Sequence, residues 1–569
     1  MKRLFLFLMA SALLAAACSQ PQPQAFQVIP MPADVTVHEG AYAVAGKAFY
    51  LDPQLDDASS AAVWRFKNAL EVASGKVSPL GKGEIQFLVN PNLAAEQYSI
   101  EVTPEGATVE ASALNGFVYA CETLKQMLPA AIYGDKPVKA DWVLPCVSIL
   151  DQPRFDYRGM HLDPCRHFFS IEETKRYLDV MTVYKLNRFH WHLTEDQGWR
   201  MEVKKYPRLT EVGAWRNGTV IKKDWGTNDG IRHGGFYTQE EMKEIVDYAA
   251  ARGITVIPEI DLPGHMVAAL TAYPELGCTG GPYEVWTRWG VAKDILCAGN
   301  EQVFTFLEDV LSEVMDIFPS EYIHVGGDEC FGGDAEPDRP DPWDVCPKCA
   351  ARMKALGIKK GPQAKHYLQN YVTARVQKFL NDHGRKIIGW DEILEGELAS
   401  GATVMSWRGV EGGIKAASMG FDAIMTPSGF MYFDHYQGME RDKEPFGIGG
   451  YCPLDKVYNY EPYDGMVAGS EDHILGVQAN LWTEYIATPE HLEYMLLPRM
   501  CALSEIQWCA ADKKDYARFD ASLDHTFEIL DAMGVNYSLD CRGLIGLERQ
   551  PARSPEEMED YLAKKDWGW

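Results

Sequence analysis

The sequence predicts an α/β protein in which a (β/α)8 TIM barrel follows a small α+β domain. Eight short β-rich runs alternate with helical stretches between residues 155 and 481, which is the order of a barrel. Charged and aromatic residues gather directly after most of these runs, where a barrel has its mouth. The chain has 569 residues, of which 46% are hydrophobic, and this suits two or three domains with a large core.

The N-terminus has the layout of an export signal. Two basic residues precede an apolar run over 4–17 that is too short to span a bilayer. Ala15–Ala17 stand directly before Cys18, which resembles a bacterial lipobox, although Leu14 stands one place early. We therefore expect Cys18 to be lipidated.

This layout divides the first residues into a signal peptide over 1–17 and a tether over 18–25 that begins with the lipidated cysteine. It predicts an exported outer-membrane lipoprotein that faces the periplasm and meets the membrane only through its lipid anchor. The alternative is ordinary cleavage near the same alanines, which would yield a soluble periplasmic or cell-surface protein.

Residues 26–150 are expected to form the small α+β domain. Tyr98–Val102 and Ala107–Ala111 alternate apolar and polar residues around a Pro-Glu-Gly turn, which predicts a hairpin. Helical stretches are expected near 57–74 and 116–128. No cluster of catalytic residue types stands out in this domain.

The predicted barrel covers residues 151–511. Strands are expected at Phe155–Leu162, Arg188–Leu193, Ile254–Ile260, Tyr322–Gly326, Lys386–Trp390, Thr403–Trp407, Ala423–Thr426 and Ile474–Leu481. Amphipathic helices are expected between them, as at Ile171–Lys185, Gln239–Arg252, Gln302–Phe318 and Gln363–His383. A doubly wound sheet would also alternate, but no glycine-rich phosphate-binding motif accompanies the first strand. Residues 512–569 are expected to hold one more long helix and a polar tail.

Charge and composition limit the classes of molecule that the protein is expected to bind. The formal net charge is −27, which argues against nucleic acid or an anionic membrane surface as a partner, because Lys and Arg supply phosphate affinity. Aromatic residues make up 11%, including 15 Trp and 27 Tyr. Flat aromatic rings suit the apolar face of a sugar, although they suit a large core equally well.

The chain has 13 cysteines, and an exported protein can form disulfides. Cys278 and Cys297 bracket a Gly-rich loop and are the pair we expect to be bridged. Cys346 and Cys349 are spaced as half of a zinc site, but no second pair follows at a suitable spacing. The spacing therefore favours a surface loop with a local disulfide or free thiols.

The strand ends carry an unusual set of side chains. They are Arg158, Asp163, His190, His192, Glu195, Asp196, Glu259, Asp261, His265, Asp328, Glu329, Trp390, Asp391, Trp407, Tyr432, Asp434, Trp482 and Glu484. So many carboxylates and tryptophans at one face suggest glycoside hydrolysis, because each desolvated charge costs free energy that a structural role alone does not explain. Metal-assisted hydrolysis is the rival, with His190 and His192 joined by Asp261, His265 and Asp328 as ligands.

The adjacent pair Asp328-Glu329 is the most specific clue. Neighbouring side chains on a strand diverge, so the two carboxylates cannot readily flank one glycosidic bond as separate acid and nucleophile. One can protonate the leaving oxygen while the other holds a group beside C1. A 2-acetamido group fits this arrangement, because its carbonyl oxygen can attack C1 in place of an enzyme nucleophile.

Seven motifs in barrel order make the chain resemble glycoside hydrolase family 20, the β-N-acetylhexosaminidases. His324-Val325-Gly326-Gly327-Asp328-Glu329 is similar to the family's catalytic HxGGDE motif. The others are Tyr157-Arg158-Gly159, His190–Arg200, Pro258–His265, Gly389–Glu392, Tyr432-Phe433-Asp434 and Leu481–Glu484. The resemblance runs from about residue 26 to about residue 510.

The resemblance implies a role for each matching residue. Glu329 would be the general acid/base, Asp328 would orient the acetamido N–H, and the Tyr432 hydroxyl would bind the acetamido oxygen. The implied substrate-binding residues are Arg158, Asp434 and Glu484 at sugar hydroxyls, Trp390, Trp407 and Trp482 as aromatic walls, and Asp196 and His265, with Asp261 as a support. The role of Glu195 stays open, because some relatives have Asp there.

The implied activity is that of an exo-acting, retaining β-N-acetylhexosaminidase that uses substrate-assisted catalysis on glycans with a terminal N-acetylhexosamine. The chemistry requires no metal and no organic cofactor. Two alternatives stay open at this point: a glycan-binding lipoprotein without activity, and a relative specialised for another aminosugar unit, such as a sulfated residue or a disaccharide. The sequence does not distinguish GlcNAc from GalNAc.

Overall fold

A computed structural model describes residues 25–331, 338–396, 398 and 400–539. These residues form two compact units. The first contains 25–28, 32–152 and 518–533, and the second contains 29–31, 153–517 and 534–539. The expected signal peptide, the lipidated Cys18 and the polar tail beyond residue 539 lie outside the described residues.

The first unit is built on a six-stranded sheet with the order β1-β6-β4-β5-β3-β2. Its strands are β1 Asp34–Ala43, β2 Phe49–Leu51, β3 Ile85–Val89, β4 Tyr98–Thr103, β5 Gly106–Ala111 and β6 Val143–Asp151. The helices in this part of the chain are α1 Asp57–Ser74 and α2 Leu114–Gln126, with a 3-10 turn at Ala130–Tyr133. The predicted hairpin is confirmed, since β4 and β5 pair antiparallel from Tyr98 opposite Ala111.

The second unit contains a closed barrel of eight parallel strands, which confirms the predicted fold. These strands are β7 Tyr157–Leu162, β8 Arg188–His192, β13 Thr255–Glu259, β14 Tyr322–His324, β15 Lys386–Trp390, β16 Thr403–Ser406, β17 Ala423–Met425 and β18 Ile474–Ala479. Two small hairpins lie in the loops, β9 Thr194–Glu195 with β10 Gly198–Trp199 and β11 Trp215–Asn217 with β12 Arg232–Gly234. Each barrel strand coincides with one predicted from the sequence.

The helices described from residue 153 onward are α3 Ile171–Val183, α4 Arg208–Glu211, α5 Gln239–Ala250, α6 Val267–Ala272, α7 Glu301–Ile317, α8 Pro342–Val345, α9 Pro347–Ala355, α10 Ala364–Asp382, α11 Glu411–Ser418, α12 Ser428–Met431, α13 Leu454–Asn459, α14 Pro489–Leu496, α15 Arg499–Trp508 and α16 Tyr516–Met533. The four helices expected between the barrel strands are present as α3, α5, α7 and α10, and the last helix of the described chain, α16, lies mostly in the first unit. Further 3-10 turns lie at Pro274–Leu276, Asp391–Leu394, Glu471–His473 and Ala511–Lys513. Across the described ranges, no helix has the length and apolarity needed to cross a membrane.

Local sequence signals fix where two of the barrel helices begin. Ser170 caps α3 and Thr238 caps α5, and each accepts a hydrogen bond from the backbone of a glutamate three residues on. Each of those glutamates, Glu173 and Glu241, bonds back to the cap, which completes a capping box. This reciprocal pairing satisfies N–H groups that a helix start leaves open.

Strand register brings three ionisable residues to one level at the carboxyl edge of the barrel. Glu259, the last residue of β13, lies opposite His192 of β8 and His324 of β14. The barrel core also holds a cluster of buried side chains that includes Ile257 and Ile388. Parallel strands that end together present their loops at the same face, so the site must form there.

Candidate active site

Glu259 ties four barrel strands together beneath the mouth. Its Oε2 lies 3.0 Å from His190 Nε2 and 2.5 Å from His192 Nδ1. Its Oε1 lies 2.9 Å from His324 Nδ1 and accepts the Trp390 indole N–H at 3.0 Å. Burial opposes ionisation of Glu259, but the three histidines outweigh it and hold its pKa well below the usual range. The cluster gives the site a rigid polar floor.

The Asp328-Glu329 pair stands on a tight left-handed turn after β14. Gly326, Gly327 and Glu329 all have positive φ angles, 62°, 101° and 48°. A Cβ on Gly326 would lie 1.7 Å from Asp261 Oδ1, so only glycine lets the backbone pass this carboxylate. Asp261 Oδ1 accepts the Gly327 N–H at 3.2 Å. Asp261 is therefore bonded to the turn that carries the pair.

His265 lies against both carboxylates of the pair. Its Nε2 is 3.7 Å from Asp328 Oδ2 and 3.6 Å from Glu329 Oε2. Its Nδ1 is 2.8 Å from Glu195 Oε1 and 3.5 Å from Asp196 Oδ2. Burial disfavours a charged imidazole, but Glu195 and Asp328 outweigh it and raise the pKa of His265 well above its usual range. A cation therefore stands between two pairs of carboxylates.

The two carboxylates of the pair differ in exposure. The side chain of Asp328 is 13% exposed and that of Glu329 is 32% exposed. Burial is the main reason why the pKa of Asp328 rises to about 6; His265 opposes the rise and Glu329 adds to it. Asp328 Oδ1 has no hydrogen-bond partner among the described residues. This oxygen is itself buried, so a hydrogen-bond donor that reached it would satisfy an acceptor that is otherwise unpaired among the described residues.

Glu195, whose role the sequence leaves open, is a positioning residue. It contacts His265 Nδ1, His192 Nε2 at 3.2 Å and Arg166 Nη2 at 2.9 Å. Burial opposes its ionisation, but Arg166 and His265 outweigh burial and hold the pKa of Glu195 well below the usual range. Its negative charge is therefore available to hold His265 protonated.

Asp196, predicted to bind substrate, is buried and bonded to backbone. It accepts the Val267 N–H at 3.0 Å and the Ala292 N–H at 3.2 Å. Val267 is the first residue of α6, and Ala292 lies in the loop between α6 and α7. Asp196 thus holds the backbone of this region next to His265.

The predicted aromatic residues lie together but differ in depth. The rings of Trp407 and Tyr432 stack at 6.2 Å with an interplanar angle of 20°, and Tyr432 lies 6.4 Å from Trp482. Trp407 donates its indole N–H to Glu392 at 3.0 Å. Trp390 is only 1% exposed and packs in the barrel core. Trp390 is therefore the deepest of the three tryptophans.

Arg158 does not lie at the mouth, which corrects the sequence prediction. It is the second residue of β7, and its guanidinium donates to the carbonyl oxygens of Phe155 at 2.8 Å and Lys185 at 3.0 Å. Its backbone N–H donates to Asn187, just before β8 begins. These partners belong to the amino end of the strands, opposite the site. Position at the start of a strand, and not its end, explains the error.

Arg166 occupies the mouth instead, and the sequence analysis missed it. Its Nη1 contacts Asp163 Oδ2 at 3.2 Å, and its Nε donates to Gln197 at 3.1 Å. Its guanidinium lies 5.0 Å from the centre of the Trp482 ring. The signal was in the sequence, since Arg166 follows β7 in the loop that begins with Asp163.

A cavity of about 570 Å³ opens at this face of the barrel. Its walls include Arg166, Trp289, Glu329, Glu392, Arg408 and Glu484. Such a volume suits one or two sugar units. Burial raises the pKa of Glu484 while Arg166 opposes the rise, and burial together with Glu484 raises that of Asp434 well above the usual range. Asp434 Oδ1 has no hydrogen-bond partner within the described ranges.

The structure also bears on the rival metal site and on the expected disulfide. His190 and His192 are both bonded to Glu259, so they do not join Asp261, His265 and Asp328 in one ligand set. The expected bridge between Cys278 and Cys297 is not formed, because both are free thiols. They lie instead in a cluster with Cys346 and Cys349.

Comparisons with known proteins identify the family to which the chain belongs. Two family models match the chain, glycosyl hydrolase family 20, domain 2, over residues 25–152 and the catalytic domain of that family over residues 155–511. A β-hexosaminidase of Porphyromonas gingivalis is 46% identical over 476 residues, which cover 83% of this chain and 57% of that protein. The chain thus spans little more than half the length of this relative.

Solved structures give the same result. The Streptomyces plicatus N-acetyl-β-hexosaminidase in complex with Thio-NAglucal is 30% identical with a TM-score of 0.78, covering 91% of this chain and 98% of that chain. The GH20 exo-β-N-acetylglucosaminidase of Vibrio harveyi in complex with N-acetylglucosamine is 31% identical with a TM-score of 0.78, covering 92% and 80%. The matches to the two family models, the sequence identity to known β-hexosaminidases and the common fold show that the chain belongs to glycosyl hydrolase family 20.

Proposed function

We propose that the protein is an exo-acting, retaining β-N-acetylhexosaminidase that releases terminal GlcNAc or GalNAc from glycans by substrate-assisted catalysis. One observation carries the proposal: Glu329 lines the cavity, and both it and the adjacent Asp328 lie within 3.7 Å of the His265 imidazole. The N-acetylglucosamine in the Vibrio harveyi structure supports the substrate class.

The two carboxylates divide the work by exposure. Glu329 is the more exposed and lines the cavity, so it protonates the leaving oxygen and later removes a proton from the attacking water. Asp328 is more buried and has a free acceptor oxygen among the described residues. It accepts the acetamido N–H and places that group beneath C1.

The substrate supplies the nucleophile. The acetamido carbonyl oxygen attacks C1 as the bond to the leaving oxygen breaks, which forms a cyclic oxazolinium ion. Asp328 stabilises its positive charge, and the Tyr432 hydroxyl donates to the acetamido oxygen. Water then attacks C1 from the face that the leaving group left, so the two inversions retain the anomeric configuration.

Residues around the cavity bind the sugar. Arg166 takes the place that the sequence analysis assigned to Arg158, because its guanidinium lies at the mouth beside Trp482. Asp434 and Glu484 supply carboxyl oxygens for sugar hydroxyls. A set of groups that binds the hydroxyls of one terminal unit favours exo action.

The decisive experiment varies the leaving group. Glu329→Gln should lower kcat by orders of magnitude on a chitooligosaccharide, and much less in the first step for a dinitrophenyl glycoside that needs no protonation. Glu484→Gln is the matched control in the same cavity, and its loss of kcat/KM should be similar for both substrates. A loss in Glu329→Gln that is the same for both leaving groups would contradict the assignment.

We also propose that the mature protein is an exported lipoprotein anchored through Cys18, in the outer membrane and facing the periplasm. The alanines before Cys18 and the tether after it support this proposal. Labelling cells with a fatty-acid analogue should mark the wild type and not Cys18→Ala. An unlabelled wild type would leave a soluble exported enzyme.

A further inference from the structure

Four cysteines from two separate loops meet in the second unit. Cys278 and Cys297 lie in the loop between the 3-10 turn Pro274–Leu276 and α7, and Cys346 and Cys349 lie at the start of α9. All four sulfur atoms lie within 4.8 Å of one another, and three of the residues are buried. The reaction proposed above uses none of them.

The distances between the sulfur atoms distinguish a metal site from disulfides. Cys297 Sγ lies 3.7 Å from both Cys346 Sγ and Cys349 Sγ, and Cys278 Sγ lies 3.8 Å from Cys349 Sγ. A tetrahedral zinc with Zn–S bonds of about 2.3 Å separates its sulfur ligands by about 3.8 Å. In a disulfide each sulfur has one partner at about 2.05 Å. Here two sulfurs each have two neighbours at the tetrahedral distance.

We propose that Cys278, Cys297, Cys346 and Cys349 bind one structural zinc ion as thiolates. Four sulfur ligands in a tetrahedron select zinc or iron among the common metals. Zinc fits better, because the proposed reaction includes no electron transfer. Four protein ligands leave no open position for water or substrate, so the ion has no catalytic step.

The backbone around the cysteines is shaped for this site. A Cβ on Gly299 would lie 2.1 Å from the carbonyl carbon of Lys348, so the chain after Cys297 packs directly on the peptide before Cys349. The Cys297 N–H donates to Leu276 O at 2.9 Å, which brings the two ends of the first loop together. Cys346 is the N-cap of the nine-residue helix α9, and the helix dipole favours thiolate charge there.

The ion would join two loops that build the cavity. The first loop carries Trp289, which lines the cavity, and the second follows the turn with Glu329. The loops also contact each other where Trp343 donates its indole N–H to Leu296 O at 2.9 Å and where Arg339 pairs with Asp294 at 2.5 Å. A metal here would hold the wall of the substrate site in place.

Metal content is the first test. The full chain, purified without chelator or reductant from zinc-supplemented cells, should contain one zinc per chain by elemental analysis. Cys346→Ser with Cys349→Ser should lose it, and Cys121→Ala, a buried cysteine of the first unit, should retain it. The double variant should also melt at a lower temperature, because zinc no longer stabilises the folded state.

A second measurement uses the wild type alone, in case the double variant does not fold. Titration with a mercurial reagent should release zinc as four thiols react, and cobalt in place of zinc should give the strong visible absorption of a tetrahedral thiolate complex. Zinc below stoichiometry, iron in its place, or disulfides among these four cysteines in a non-reducing peptide map would each overturn the proposal.

Discussion

The two arginines of the first barrel strand and its loop can be separated by a pair of lysine substitutions. Arg158 bonds carbonyl oxygens at the amino end of the strands, and Arg166 lies at the cavity. Lysine keeps the charge but cannot reproduce the planar fork of a guanidinium. We expect Arg158→Lys to lower stability and Arg166→Lys to lower activity.

The expected magnitudes follow from the contacts. The Arg158 guanidinium donates hydrogen bonds of 2.8 and 3.0 Å to two carbonyl oxygens and lies 5.1 Å from the Trp508 ring. A hydrogen bond from a charged donor contributes about 1.5–3 kcal/mol, so Arg158→Lys should lower the free energy of unfolding by about 2–4 kcal/mol.

Arg166 has five N–H donors, and three of its N–H groups face Asp163, Glu195 and Gln197 among the described residues. The other two are available to sugar hydroxyls. Loss of such a bond should lower kcat/KM roughly 10- to 100-fold.

The assay combines calorimetric Tm with kcat/KM on an aryl N-acetyl-β-glucosaminide, measured well below both unfolding transitions. Arg166→Lys also loosens Glu195, so its Tm will fall as well, and activity per folded molecule is the quantity that separates the two variants. If Arg158→Lys, still folded, lost more kcat/KM than Arg166→Lys, our placement of the substrate-binding arginine would be wrong.

Three more outcomes are expected. Because Asp328 acts as a carboxylate and its pKa is raised to about 6, kcat/KM should fall as the pH drops through this value. His265→Asn removes the cation that opposes the rise in the Asp328 pKa, so the acid limb of the pH profile should move to higher pH. An acid limb that does not move would contradict this coupling. Asp328→Asn should impair cleavage of an N-acetyl substrate without a covalent glycosyl-enzyme in rapidly quenched mass spectra, and NMR of the wild-type reaction should show the β-anomer first. Gly326→Ala should abolish the folded site because its Cβ meets Asp261, whereas Gly401→Ala, also at positive φ but with no atom within 4 Å, should cost about 1–2 kcal/mol in a denaturant titration.

The sequence by itself determined the barrel and the centre of its site. Apolar periodicity and turn residues are local signals, and they located all eight barrel strands because each strand must bury its side chains in one core. Asp328 and Glu329 could also be identified from a local signal, because both carboxylates belong to one short run of consecutive residues. Local order along the chain was enough for these features.

Only the tertiary structure decided what Glu195 does and where the cysteines meet. The arginine at the mouth follows from chain order instead, since Arg158 lies near the start of β7 and Arg166 lies in the loop after it. Glu195 acquires its role from His265, 70 residues away along the chain, and Cys278 meets Cys349 across 71 residues. Such contacts depend on how strands close into a barrel and loops fold over it, which no local spacing encodes.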